Sequence, residues 1–231
     1  MRPPNGSRDS LRCGLKIRCR FAARLNSGVG PQKIHESYVM TSQAELNRTT
    51  YTALGHFVVA FSAALGALES STIRLLGANG RTRLPIEAAL ADRTAYPIMS
   101  SFFSVFHAYW GDQVTAGDKV VLRQLRRELT SLIEIRNRLM HDAWMSTTVG
   151  GEEGPHPLSR MRVRAHGAGI DYEIEPHPPQ DLEQLAADAT RLSSCVNGAV
   201  WYCRPGQVGP ELEQRYAIAE GILQRVQPSG P

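Results

Sequence analysis

Apolar positions recur at helical spacing from Ser42 to about Gly77, through Leu46, Leu54, Phe57, Val58, Phe61, Leu65, Leu68, Ile73 and Leu76. That period predicts one long helix. Ser42 suits its N-cap, with Glu45 three residues on to complete a capping box. The stretch Phe57 to Leu68 is apolar nearly all round. It is short of the ~20 residues that a membrane span needs, so it reads as a central core helix. Ala63, Ala64, Gly66 and Ala67 allow a second helix to come close and suit a seam between two copies of the chain. Ala78 to Arg83 reads as a loop. Pro85 suits the first turn of a short helix to about Ala95, and Pro97 opens another to Trp110. After a turn over Gly111–Gly117, Asp118 to Met145 reads as an amphipathic helix. Val121, Leu122, Leu125, Leu129, Leu132, Ile133 and Ile135 face inward, while Arg123, Arg126, Arg127 and Glu128 face solvent.

The pattern then changes period. Thr147 to Ser159 is a glycine- and proline-rich linker. Arg160–Ala165 and Ile170–Ile174 alternate around His166-Gly167-Ala168-Gly169, which predicts a hairpin. Arg160, Arg162 and Arg164 share one face of its first strand and can pair with Asp171, Glu173 and Glu175 on the second. Asp181 to about Cys203 and Pro210 to Val226 read as two further helices. The fold class expected is mainly α, an up-and-down helical bundle with a small β-hairpin inserted at about 160–175.

Composition narrows the picture. A chain of 231 residues with 42% apolar and 7% aromatic content supports one aliphatic core. Its net charge of +4 is unevenly placed. Residues 1–39 hold eight Lys and Arg against Asp9 and Glu36, whereas the rest carries 18 basic and 20 acidic residues. The body is therefore not a basic platform, and overall basicity argues nothing about nucleic acid. The domain reading is a disordered basic tail over 1–39 and a helical domain over 40–231. Met40-Thr41-Ser42 looks like a natural start, which would make the tail an over-extended reading frame. No apolar stretch follows the tail's basic residues as a secretory signal requires, so the expected location is cytoplasmic, with no membrane partner.

The cysteines Cys13, Cys19, Cys195 and Cys203 show no metal spacing and read as reduced and structural. His156, His166 and His177 sit in and around linker and hairpin without ligand spacing and read as loop histidines. Trp110, Trp144 and Trp201 read as core anchors. No glycine-rich phosphate loop or Ser-His-Asp arrangement stands out, and neither cofactor nor metal is expected.

Chemistry concentrates in Arg136-Asn137-Arg138-Leu139-Met140-His141, followed by Asp142-Ala143-Trp144. An arginine can grip a phosphate and stabilise added charge, an amide can orient it, and a histidine can move a proton near neutral pH. Asn137 and His141 are four apart and share a helix face. Arg136 precedes His141 by five residues, about 140° around the helix. Convergence on one phosphate therefore calls for a loosened helix end or a second copy of the motif across a two-fold axis. The plain alternative is a structural helix end, with Arg136 paired to Glu69 or Asp142.

The stretch Ile135 to Trp144 resembles the Arg-Asn-x-x-x-His signature of the HEPN superfamily of helical ribonucleases and nucleotide-binding proteins. The setting is similar too: a long first helix, then the motif at the end of a later one. The resemblance implies a dimeric helical bundle acting as a metal-independent endoribonuclease on RNA, in a prokaryotic toxin–antitoxin or defence setting with an antitoxin partner. Arg136, Asn137 and His141 would be catalytic, with Glu69 and Asp142 supporting, and products would carry a 2′,3′-cyclic phosphate. Some members carry a tyrosine two residues after the histidine, modified by a nucleotidyltransferase partner. Here Ala143 stands there, so the resemblance does not extend to that control. The alternative it leaves open is a catalytically silent nucleotide-binding or protein-interaction module.

Overall fold

The computed structural model describes residues 42–77, 80–91, 93–145, 156, 158–166, 169–201 and 209–226. The segment 1–39, with its expected disorder, and most of the linker after Thr147 lie outside the described residues. The chain is mainly helical, with two small antiparallel sheets. Helix α1 runs Gln43–Leu75, α2 Gly80–Ala91 and α3 Ala95–Trp110. A 3-10 turn over Gly111–Gln113 leads to α4, Ala116–His141. Strands β1 (Ala143–Met145), β2 (Ser159–His166) and β3 (Gly169–Pro176) form one sheet in that order. Then come α5 (Pro179–Trp201), a single turn α6 (Leu212–Arg215) and the hairpin β4 (Tyr216–Ala219) and β5 (Ile222–Arg225).

Helix α1 begins where its sequence dictates, with the Ser42 hydroxyl accepting the Glu45 backbone N–H at 3.2 Å. It packs along α5, while α3 fills the space against α1 and α4. Phe57, Phe61 and Leu68 meet Phe102 and Phe106 of α3, Leu125, Leu129 and Ile133 of α4, and Leu192 and Val196 of α5 in one core. Each such fully buried side chain is worth roughly 1.5–3 kcal/mol over its exposed state. The small residues of α1 divide. Ala64 and Ala67 are buried within this chain, while Ala63 and Gly66 face out. Close approach to α5 is visible where the Ser193 hydroxyl donates to the Ala63 carbonyl at 3.5 Å. Among the described residues α1 alone is long and apolar enough to cross a membrane by length and composition, although its aromatic face is spent on this core.

Three elements differ from the sequence expectation. Helix α2 starts at Gly80 and carries Pro85 inside it, so Gly80 to Arg83 are helical where a loop is expected. The Arg83–Glu87 ion pair at 2.6 Å and burial of Leu90 help hold it. Helix α4 stops at His141 instead of Met145, because Ala143–Met145 pairs with Met161–Ser159 and makes the hairpin a three-stranded sheet. The expected helix over Pro210–Val226 is mostly a hairpin. Glu220 and Gly221 both have positive φ, 52° and 78°, the two-residue primed turn that suits strand twist. Leu223 and Tyr216 are buried by it.

Tyr216 also explains a glycine inside α5. Its hydroxyl donates to the Cys195 carbonyl at 3.1 Å, and a Cβ built on Gly198 would collide with that hydroxyl. Cys195 lies in the same apolar region, and burial pushes its thiol up to about 11. Gly198→Ala is expected to destabilise the fold by about 1–3 kcal/mol through overpacking, against a helix-propensity gain of about 1 kcal/mol. Urea unfolding checks this. Most of the loss should vanish in a Tyr216→Phe background, and an equal loss there would refute the collision.

Candidate functional site at the end of α4

Helix α4 is pinned at its start. Thr115 and Asp118 form a reciprocal capping box, and the fully buried Asp118 carboxylate also accepts the backbone N–H groups of Leu212 at 2.6 Å and Glu213 at 3.2 Å. One carboxylate thus satisfies the orphan donors of two helix starts.

The far end carries the motif. Arg136 is half-buried and directed toward α1, its guanidinium 5.7 Å from the Phe61 ring centre. It also donates to Asn137 Oδ1 at 3.3 Å. Asn137 is half-buried, and His141, the last helical residue, is exposed. Arg136 and Asn137 are thus brought together, whereas no contact joins Arg136 to His141 among the described residues. Glu69 lies eight residues beyond Phe61 on α1, about 12 Å along the axis. No ion pair links Glu69 to Arg136, and no hydrogen bond links it to His141, among the described residues.

Asp142 is drawn elsewhere. Its backbone is extended (φ −83°, ψ 155°) while its N–H donates to the Arg138 carbonyl at 3.1 Å. The Trp144 indole N–H donates to the Leu139 carbonyl at 2.8 Å. With two terminal carbonyls so satisfied, the chain turns into β1. The Asp142 carboxylate pairs at 2.8 Å with Arg160, whose side chain is 6% exposed. Arg160 also pairs with Glu175, its partner across β2 and β3. The expected cross-strand pairing extends to Arg164, which bridges diagonally to Glu173 at 2.7 Å.

Behind this network lies His177, just after β3, read from sequence as a loop histidine. Its side chain is 13% exposed, its ring sits 5.5 Å from Trp144, and its backbone N–H donates to the Leu158 carbonyl at 3.0 Å. It lines a cavity of about 50 Å³ with Ile135, Arg138, Leu139, Arg160 and Glu175. Burial holds its imidazole below the usual histidine range, outweighing Glu175, with Arg160 and Arg138 acting in the same direction as burial. Only the strand–loop position after Pro176 hinted at it, and spacing carried no signal.

A second concavity of about 390 Å³ opens between α3 and α4, lined by Phe103, His107, Ala116, Lys119, Leu122, Arg123 and Arg126. Among the described residues no three His, Cys, Asp or Glu side chains gather as metal ligands. Compared with known proteins, the chain matches no family model, no curated protein and no solved structure.

Two outcomes follow for the network. Arg160→Met should cost roughly 2–4 kcal/mol in urea unfolding, below the full value for a buried pair because Glu175 is half exposed. An unchanged midpoint would remove Arg160 as the anchor of β2. For His177 the folded state resists protonation while the unfolded chain takes a proton near ~6.5. Its contribution is present above that pH and is lost as pH falls through the lower folded value. Wild type should therefore lose more thermal stability between neutral pH and pH 5 than His177→Gln does. Parallel profiles for the two proteins would contradict this.

Proposed function

We propose that this chain is a metal-independent endoribonuclease of the HEPN type, working as a homodimer in the cytoplasm of a prokaryote, in a toxin–antitoxin or defence setting with a restraining partner. The observation that carries the reading is the end of α4. His141 is exposed at the helix terminus, Asn137 lies one turn before it on the same face, and Arg136 lies beside Asn137. An imidazole open to solvent can take the proton from a ribose 2′-hydroxyl. The 2′-oxygen then attacks phosphorus, and the 5′-oxygen leaves with a proton, giving a 2′,3′-cyclic phosphate. The Asn137 amide can orient the phosphate, and an arginine can hold the charge that develops on it.

The divergence of Arg136 from His141 supports the dimer. Within one chain the guanidinium lies over Phe61, so a two-fold axis offers the route by which arginines and histidines from two copies share a cleft. The outward face of α1, with Gly55, Val59, Ser62 and Gly66 exposed, suits a close helix approach by a second copy.

A second reading draws on the same contact. An Arg136 held by Phe61 and Asn137 also fits a catalytically silent nucleotide-binding or interaction module. Incubating the purified protein with RNA in EDTA separates the two. Cleavage leaving cyclic phosphate ends is expected, lowered at least ~10²-fold by His141→Ala. No cleavage by wild type, or undiminished cleavage by the variant, sinks the nuclease.

A further inference from the structure

Several cations of this fold are matched. Arg48 pairs with Glu45, Arg83 with Glu87, Arg164 with Glu173, and Arg191 with Glu128 and Asp188. Lys119, Arg123 and Arg126 form no ion pair among the described residues, yet all three line the α3–α4 cleft together with His107. The rest of its wall is Phe103, Ala116 and Leu122, and no carboxylate lines it. The Arg126 guanidinium sits 5.7 Å from the Phe103 ring centre, a cation–π contact that fixes its plane without neutralising it. Arg123 donates Nε to the Lys119 carbonyl at 3.2 Å, which leaves its terminal nitrogens as donors. Three unpaired like charges around a concavity disfavour one another, and low-dielectric walls focus their field on whatever anion enters.

The cleft and the motif share one helix. Lys119, Arg126 and Asn137 follow at intervals of seven and eleven residues, which return to one side of it; Ile133 between them is buried in the core, and the exposed route runs past Ser131, Glu134 and Arg138. Asn137 lies about 16 Å beyond Arg126 along the axis, and His141 about 6 Å further. Glu134, on the flank of this face, accepts from the Tyr96 hydroxyl at 3.4 Å. The span between cleft and motif is that of a few nucleotides, at about 3.4 Å rise per stacked nucleotide.

We propose that the α3–α4 cleft is a phosphate-binding subsite, in which Lys119, Arg123 and Arg126 hold the backbone of an RNA strand that continues along α4 to Asn137 and His141. The identity of the strand rests on the ribonuclease reading, whereas the affinity of the cleft for a polyanion does not. The test uses the full chain in EDTA and a fluorescent dodecamer of 2′-O-methyl RNA, which lacks the attacking hydroxyl and stays intact. Anisotropy titrations are run over a range of salt concentrations. The double variant Arg123→Gln/Arg126→Gln should bind about tenfold or more weakly, with the slope of log affinity against log salt reduced by about 1.4, at ~0.7 per phosphate contact on single strands. Lys119→Gln should move both in the same direction. Unchanged affinity and slope in the double variant would overturn the subsite. So would uridine monophosphate binding as tightly as the dodecamer, which would make the cleft a pocket for a free nucleotide. Binding that depends on Arg123 and Arg126, beside a wild type that leaves unmodified RNA uncut, would uphold the subsite and refute the nuclease.

Discussion

Where α4 ends decides what the motif can do, and a buried guanidinium sets that end. Arg160 lies between Asp142 and Glu175 with almost no access to water. An arginine so placed cannot shed its charge, so the carboxylates must come to it. Asp142 reaches it only if the chain leaves the helix after His141. The Asp142 N–H still closes the last helical bond to the Arg138 carbonyl, and the Trp144 indole takes over the Leu139 carbonyl that a longer helix would have satisfied. His141 becomes a terminal, exposed residue as a consequence of this ion pair.

The same logic recurs along α4. Asp118, fully buried, ties its start to α6. Midway, Glu128 accepts from the Leu223 N–H at 2.7 Å and from Arg191 at 2.8 Å, while Arg191 donates to the Leu223 carbonyl at 2.7 Å. Each buried charge is hydrogen-bonded to backbone or to an opposite charge, the condition under which burial is tolerated. Such contacts add less net stability than the Phe and Leu core. Their directionality instead fixes register: the two sheets can dock on α4 in few ways, since a shift would strand a charge.

How far sequence reaches is visible in these elements. Helix α1 was legible to within a residue or two because its cap and period are local. So was the β2–β3 hairpin, whose Arg and Glu residues alternate on facing strands. The α4 terminus was not, since Ala143-Trp144-Met145 contains no helix breaker and becomes a strand only through β2. The C-terminal hairpin was misread for a related reason. Tyr216 to Val226 fits a helical period, and its turn uses Glu220-Gly221 where asparagine or aspartate would have signalled it. Within the site, the identity of Arg136, Asn137 and His141 as candidates came from residue type and spacing. The lie of Arg136 over Phe61 and the burial of His177 against Trp144 depend on partners distant in sequence. The basic cleft was hidden differently: Arg123 and Arg126 read as a solvated face, and only α3 makes that face concave.

These constraints bear on each other. A helix pinned at both ends has little freedom to rotate or unwind, so the roughly 140° between Arg136 and His141 is kept. The loosened helix end that would let one chain converge its own arginine and histidine is thus opposed by the network that ends α4. The proposed ribonuclease would then rely on convergence between chains, in which each copy keeps its helix intact and contributes a different group. The cleft near the start of α4 then lies three turns from the motif on the same rigid rod, at a separation that the core, and not a flexible loop, maintains. In the proposed subsite, a strand held at one end by cations and presented at the other to an imidazole would use that kind of fixed distance.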